Sequence, residues 1–120
     1  MDTSSKNMTY KQKYTFDERL ERSRVMKQKY PNKLPIVLVP DKGINLKSTQ
    51  FLINNDLTFA QFISIVRKTY AIELKSNEAI FCIVNKILPP SAALLSSIYN
   101  EHCEPDGILY VHIQKESTFG

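Results

Sequence analysis

Residues 29–39 read Lys29-Tyr30-Pro31-Asn32-Lys33-Leu34-Pro35-Ile36-Val37-Leu38-Val39, and the pattern changes in the middle of the stretch. Up to Pro31 the chain is charged and helical in pattern; proline cannot continue a helix, so the helix ends there. From Leu34 to Val39 the residues are apolar and mostly β-branched, the composition of a strand. Pro35 has no N–H to give to a ladder, so it belongs at the start of a strand or on an edge. Pro40-Asp41-Lys42-Gly43 is turn chemistry and Gln50-Phe51-Leu52-Ile53 is a second short strand, so 34–53 reads as a β-hairpin.

Upstream, Thr15-Phe16-Asp17-Glu18 is a T-x-x-E capping box. It opens a helix of about 13 residues, with acids in its first turn and Lys27 and Lys29 in its last. Residues 1–9 read as a loose arm. Downstream, Thr58-Phe59-Ala60-Gln61 is a second capping box, and Phe59, Phe62, Ile63, Val66 and Tyr70 follow a helical stripe. Ile80-Phe81-Cys82-Ile83-Val84 is apolar on both faces, which predicts a central strand. Pro89-Pro90-Ser91 predicts the start of a short helix carrying Leu94, Leu95, Ile98 and Tyr99, and Asp106-Gly107 a turn. Residues 108–113 are a last apolar strand. The order α, ββ, α, β, α, β predicts an α+β domain with helices on one face of a mixed sheet. Its ββαβ…β part is the arrangement of the ubiquitin-like β-grasp, here with an added N-terminal helix.

The length of 120 residues fits one domain, and 42% hydrophobic residues supply one packed core. No apolar run approaches the roughly 20 residues of a membrane span. The opening residues lack an apolar segment of the secretory kind, so the two cysteines, Cys82 and Cys103, read as reduced cytosolic thiols. The net charge of +4 is uneven: residues 1–33 hold nine Lys/Arg against four acids, and residues 34–120 hold seven against eight. The basic half faces anionic partners or simply solvent. The few aromatics among those bases do not alternate with them in a regular pattern, which argues against nucleic acid.

Chemistry for catalysis is sparse. His102 and Cys103 are neighbours, and on a helix neighbours do not face one another. Cys82 falls in an apolar strand, where a free cysteine behaves as a small hydrophobe. Cys82, Cys103, His102 and His112 lack zinc-site spacing. Phosphate-loop, dinucleotide, zinc-protease and serine-hydrolase motifs are absent, so no cofactor and no enzyme is expected. The tail, Gln114 to Gly120, is polar and closes on one of only three glycines. Without a Cβ, Gly120 leaves a carboxylate open enough to enter a narrow enzyme channel.

Lys29-Tyr30-Pro31-Asn32-Lys33-Leu34-Pro35-Ile36-Val37 resembles the K-Y-P-[DN]-[RK]-[VIL]-P-[VI]-[IV] signature of the autophagy-related ubiquitin-like modifiers, the GABARAP and microtubule-light-chain group. The resemblance continues in order through Phe51-Leu52-Ile53, Asp56-Leu57-Thr58, Gln61-Phe62 and Arg67-Lys68. It goes on through Ala79-Ile80-Phe81, Val84-Asn85 and Leu88-Pro89-Pro90-Ser91-Ala92 to Glu104, Asp106-Gly107, Leu109-Tyr110 and Glu116 to Gly120. It covers roughly residues 8–120, and several ordered blocks are more specific than one.

The resemblance implies a β-grasp with two N-terminal helices and a domain plan of arm 1–9, helical extension 10–30, ubiquitin-like domain 31–114 and conjugation tail 115–120. It implies a substrate of enzymes: Gly120 activated by an E1-like enzyme, passed to E2-like enzymes and joined to phosphatidylethanolamine, with a cysteine protease that trims or releases it. Arg67 and Phe119 are the residues implied to meet that protease. The modifier is then cytoplasmic, and on the autophagosomal membrane once lipidated. Autophagy receptors would bind through a [W/F/Y]-x-x-[L/I/V] motif. Carried over by position, the aromatic pocket involves Met26, Lys33, Pro35, Leu52 and Ile108. The aliphatic pocket involves Phe51, Ile53, Leu57, Phe62, Ile65 and Val66, and the edge strand Ile36, Val37 and Leu38. The chain departs from the family at Ser48-Thr49-Gln50, where bases are common, at Asn54 in place of proline, and at Arg22, where the GABARAP branch is often acidic. Two other readings stand beside this one: a modifier joined to a protein lysine, and an unconjugated adaptor that binds peptides or microtubules through its basic N-terminus.

Overall fold

The structure is a computed structural model that describes residues 8–41, 44, 46, 49–69 and 78–117. Two short helices, α1 (Tyr10–Lys13) and α2 (Phe16–Lys29), precede the hairpin of β1 (Lys33–Pro40) and β2 (Gln50–Asn54). Helix α3 (Phe59–Thr69), strand β3 (Glu78–Ile83), helix α4 (Leu95–His102) and strand β4 (Leu109–Ser117) follow. The predicted capping boxes at Thr15 and Thr58 are formed: Glu18 N–H and Gln61 N–H each donate to the threonine hydroxyl at 3.2 Å. Helix α1 has its own box, in which Thr9 accepts from Gln12 N–H.

The four strands form one mixed sheet in the order β2-β1-β4-β3. β1 pairs antiparallel with β2 and parallel with β4, and β3 pairs antiparallel with β4. The architecture is the α+β, ubiquitin-like one. Side chains alternate along each strand, so the sheet has two distinct faces. Leu34, Ile36, Leu38, Leu109, Val111 and Ile113 point to the face covered by α3 and α4, and pack with Phe59, Phe62, Val66, Leu95 and Ile98. Val37, Ile108 and Tyr110 point the other way and pack with Tyr10.

The structure corrects four expectations. Helices lie on both faces, because α1 and α2 cover the Val37–Tyr110 side; the pattern of alternation does not say how many helical layers a sheet receives. β3 is an edge strand and not a central one. Its two apolar faces reflect partial cover, since Cys82 is buried but Ile80, Phe81 and Ile83 are half-buried. Helix α4 begins at Leu95 instead of Ser91. The preceding turn is used to cap α3: Phe59 N–H donates to the Ala93 carbonyl (2.8 Å) and Ala60 N–H to the Ser91 carbonyl (3.0 Å). In return, Leu95 N–H and Ser96 N–H donate to the Leu57 and Asn55 carbonyls, which supply the cap that Leu94 cannot. Strand β4 runs past Gln114, so residues 115–117 of the expected tail are paired with 78–80 of β3.

Candidate functional site

Of the two strands at the ends of the sheet, β2 is the one beside the predicted pockets. The expected edge at Ile36, Val37 and Leu38 is corrected: Ile36 and Val37 lie opposite Phe51 and Gln50 on one side and Leu109 and Tyr110 on the other, and Leu38 N–H donates to the Thr49 carbonyl at 2.7 Å. A proline early in a strand cannot by itself tell an edge from an interior position, because the missing N–H at Pro35 falls before the pairing with β4 begins at Ile36. Of the two end strands among the described residues, β2 (Gln50–Asn54) and β3, it is β2 whose open side lies next to the residues of the predicted aromatic pocket.

Between α2 and the β1–β2 hairpin lies a cavity of about 170 Å³, lined by Tyr10, Met26, Pro35, Val37, Leu52 and Ile108, among others. Pro35 sits opposite Leu52 in the register, and Met26 comes down from the last turns of α2. Four of the five predicted aromatic-pocket residues are thus brought together. Lys33 is exposed at the start of β1 and is not in the lining. Tyr10, Ser23 and Gln50 line the cavity and were not read from the sequence as pocket residues, and Ile36 and Val37, expected as edge strand, line it too. The signal for Tyr10 was available: Thr9-x-x-Gln12 is a capping box of the kind recognised at Thr15.

Two of the lining residues, Tyr10 and Gln50, are joined through Arg22, which is not itself in the lining. Arg22 Nε donates to the Tyr10 hydroxyl and Arg22 Nη2 to Gln50 Oε1, both at 3.1 Å, and the guanidinium stacks 4.4 Å from the Tyr14 ring centroid. The bond to Tyr10 raises the Arg22 pKa, against the opposing effect of burial. The α2 wall itself is fixed by a second network. Arg19 Nε donates to Asp106 Oδ2 at 2.9 Å, with the two side chains 13% and 2% exposed. The Tyr110 hydroxyl donates to the same oxygen, and Ile108 N–H donates to Oδ1. Ser23 Oγ donates to the Asp106 carbonyl at 2.6 Å. The hydrogen bond to Asp106 is the foremost cause of a raised Arg19 pKa, and burial, then Asp106, raises that of Tyr110.

The predicted aliphatic residues divide. Ile53, Phe62 and Val66 are buried in the main core, Leu57 packs against it, and Ile65 is exposed on α3. Core residues cannot also offer their side chains at the surface, so Leu57 and Ile65 are the members within reach of a ligand. The Phe51 side chain, Ser48, Phe119 and Gly120 lie outside the described residues. Arg67 is exposed in the last turn of α3. Burial pushes the Cys82 thiol from its ordinary 9.0 up to about 11, which makes it a poor nucleophile. No group of three or more metal-ligating side chains and no helix able to cross a membrane occurs among the described residues.

A family model described as "Autophagy protein Atg8 ubiquitin like" matches residues 18–120. Autophagy-related protein 8 of Schizosaccharomyces pombe is 38% identical over 114 residues, covering 92% of this chain and 93% of that protein. The protein of the same name from Mycosarcoma maydis is 36% identical over 114 residues, covering 92% and 95%. The crystal structure of Trypanosoma brucei ATG8 superposes with a TM-score of 0.79 at 31% identity, covering 94% of this chain and 98% of that one.

Proposed function

The chain belongs to the Atg8 family of ubiquitin-like autophagy proteins, a modifier rather than an enzyme, and from that premise we propose two specific roles: it is conjugated through Gly120 to phosphatidylethanolamine, and it recruits receptors through an aromatic-x-x-aliphatic groove. The groove reading is carried by one observation, the apolar cavity of Met26, Pro35, Leu52 and Ile108 directly beside the open side of β2. An extended peptide added there gains ladder hydrogen bonds while its aromatic side chain enters the cavity. Three positions on, an aliphatic residue meets Leu57 and Ile65, with Ile53, Phe62 and Val66 as the packed floor beneath. This moves the strand-adding edge from β1 to β2.

The conjugation reading rests on family membership and on the glycine at position 120, whose lack of a Cβ leaves its carbonyl sterically open. Two acyl chains give stable anchoring where one is marginal, at about 0.8 kcal/mol per buried CH₂. E1-like and E2-like enzymes and a processing protease that meets Arg67 and Phe119 are its partners. The modifier is cytoplasmic until joined to the autophagosomal membrane. Mass spectrometry of the adduct in cells decides the point: a phosphatidylethanolamine adduct on Gly120, lost in Gly120→Ala, supports it, and an adduct to a protein lysine or none at all overturns it. For the groove, Leu52→Ala should weaken a Tyr-x-x-Leu peptide by about 1–3 kcal/mol in calorimetry; unchanged affinity in the folded variant removes the cavity from the site.

A further inference from the structure

The register of the hairpin decides which backbone groups β2 offers to a ligand. In an antiparallel pair, opposed residues alternate between those that exchange both bonds and those that exchange none. Leu38 N–H donates to the Thr49 carbonyl at 2.7 Å, so that pair is of the bonded kind. Counted along the register, Ile36 with Phe51 and Leu34 with Ile53 are bonded pairs too. Pro35, which has no N–H, falls opposite Leu52 in the unbonded class. Lys33, opposite Asn54, sends its own N–H to the Tyr30 carbonyl at 3.0 Å. The N–H and C=O of Leu52 and Asn54 therefore turn away from β1, toward the open side of the sheet. Asn54 is exposed, and it stands at the departure from the family's proline. A proline there would have no N–H to offer.

The same geometry sets how far a ligand pairs. Gln50 and Leu52 line the aromatic cavity on the α2 side, whereas Ile53 lies in the core under α3. Residues three positions apart on a strand point to opposite faces. The ligand's aromatic residue thus enters the cavity while its aliphatic residue turns to the α3 side, beside Leu57 and Ile65. That order runs in the direction of β2, so the ligand is a parallel strand. Past Asn54 the chain leaves the ladder: Asn55 N–H donates to the Asn32 carbonyl at 3.0 Å, and the Asn55 carbonyl accepts from Ser96 N–H at 3.2 Å. The aliphatic residue is therefore seated opposite Ile53 and the aromatic one opposite Gln50. In a parallel ladder, a residue facing its neighbour bonds the residues before and after the one opposite it. Leu52 then takes the carbonyl of the residue after the aromatic and the N–H of the aliphatic residue. We propose that the Asn54 N–H is a further recognition group of this groove: it donates to the carbonyl of the aliphatic residue and adds a rung beyond those at Leu52. The groove thereby selects peptides that stay extended through the aliphatic position. The inference rests on the groove reading above and lengthens the segment that is read.

The test titrates a Tyr-x-x-Leu-Ala-Ala peptide into the full 120-residue chain and into variants. Asn54→Ala keeps the backbone N–H and should bind within about twofold of the unchanged protein. Asn54→Pro removes it and should bind about fivefold more weakly, the effect of one net hydrogen bond. A second peptide carries an ester in place of the amide after its leucine, which makes the leucine carbonyl a poorer acceptor; the N–H lost with it faces away from β2. The ester should weaken binding about threefold in the unchanged protein and in Asn54→Ala, and not at all in Asn54→Pro. That coupling is one that distortion of the strand by proline would not produce. If Asn54→Pro does not fold, the unchanged protein decides: the ester should still weaken binding, and amide exchange at Asn54 should slow when the first peptide binds. An ester without effect there, an Asn54 amide that ignores the peptide, or an equal ester effect in Asn54→Pro overturns the inference. Leu52→Ala separates the two claims. If it weakens the peptide while Asn54→Pro does not, the groove stands and the added rung falls. If no peptide binds, or Leu52→Ala changes nothing, both fall together.

Discussion

Helix α3 reaches the sheet through Phe59, Phe62 and Val66, all buried, whereas helix α2, with 14 residues against 11, fully buries only Ser23. The two faces of the sheet are held by different physics. On the α3 face, apolar burial is non-directional, so the side chains that meet beneath the helix pack closely. On the α2 face, a few directional bonds from Arg19 and Ser23 to Asp106, and from Arg22 to Tyr10 and Gln50, set the helix at a fixed height. A wall held by polar struts does not need to collapse onto the sheet. The cavity of Met26, Pro35, Leu52 and Ile108 is the gap this leaves. The difference teaches that the apolar face supplies most of the stability, while the strutted face keeps the aromatic cavity open.

Mutations should separate the faces. Phe62→Ala should cost about 3–5 kcal/mol, the largest effect, because Phe62 is 0% exposed in the main core. Urea denaturation and hydrogen exchange should show both faces weakened together. Asp106→Asn should cost about 3 kcal/mol by leaving Arg19 with an uncompensated charge against a mostly buried partner. Its exchange signature should be local, with α1 and α2 losing protection well before α3. Equal loss in α2 and α3 would break the comparison.

A pH titration addresses the apolar face. The Cys82 thiol is held up to about 11 against an ordinary 9.0. Between those values the unfolded chain has lost its proton while the folded chain keeps it, so the unfolded state binds fewer protons and stability falls as pH rises. The contribution is fully present below pH 9 and lost toward 11; two units correspond to about 2.7 kcal/mol. Cys82→Ala should flatten that limb, leaving the later decline from Tyr99 and Tyr110, both also raised by burial. An unfolding midpoint that stays level from pH 8 to 11 in the unchanged protein would contradict the burial of Cys82.

The smallest effect, about 2 kcal/mol, is expected for Gly107→Ala. Gly107 has φ +79, a left-handed conformation that costs an L-residue roughly 1–2 kcal/mol, and an added Cβ would lie 2.7 Å from Ser23 Oγ. Ser23→Ala in the same chain should recover part of the loss, giving a non-additive pair. Additive losses would mean that α2 does not rest on the Asp106-Gly107 turn.

What could be read from the sequence follows how far apart the interacting residues lie along it. The capping boxes at Thr15 and Thr58, the α3 stripe and the Leu34–Val39 run act within a few residues, and each became the expected element. Arg19 and Asp106 are 87 positions apart, and no local pattern joins them. The same holds for Arg22 and Gln50, which lie 28 apart. The edge position of β3 and the interior position of β1 are properties of strand order, and apolar content alone misreads them. Four of the aromatic-pocket residues, Met26, Pro35, Leu52 and Ile108, came from the family resemblance; their partners Tyr10 and Gln50 came only from the fold.

The central claim is that ligand enters on the α2 side and adds to β2, not to the other end strand. Isotope-labelled protein titrated with a Tyr-x-x-Leu peptide, followed by amide and methyl resonances, tests it most directly. Slowed exchange within Gln50–Asn54, with methyl shifts at Met26, Leu52 and Ile108 and a quiet β3, is the predicted result. Perturbations confined to Glu78–Ile83 of β3, with the α2-side methyls unmoved, would contradict it.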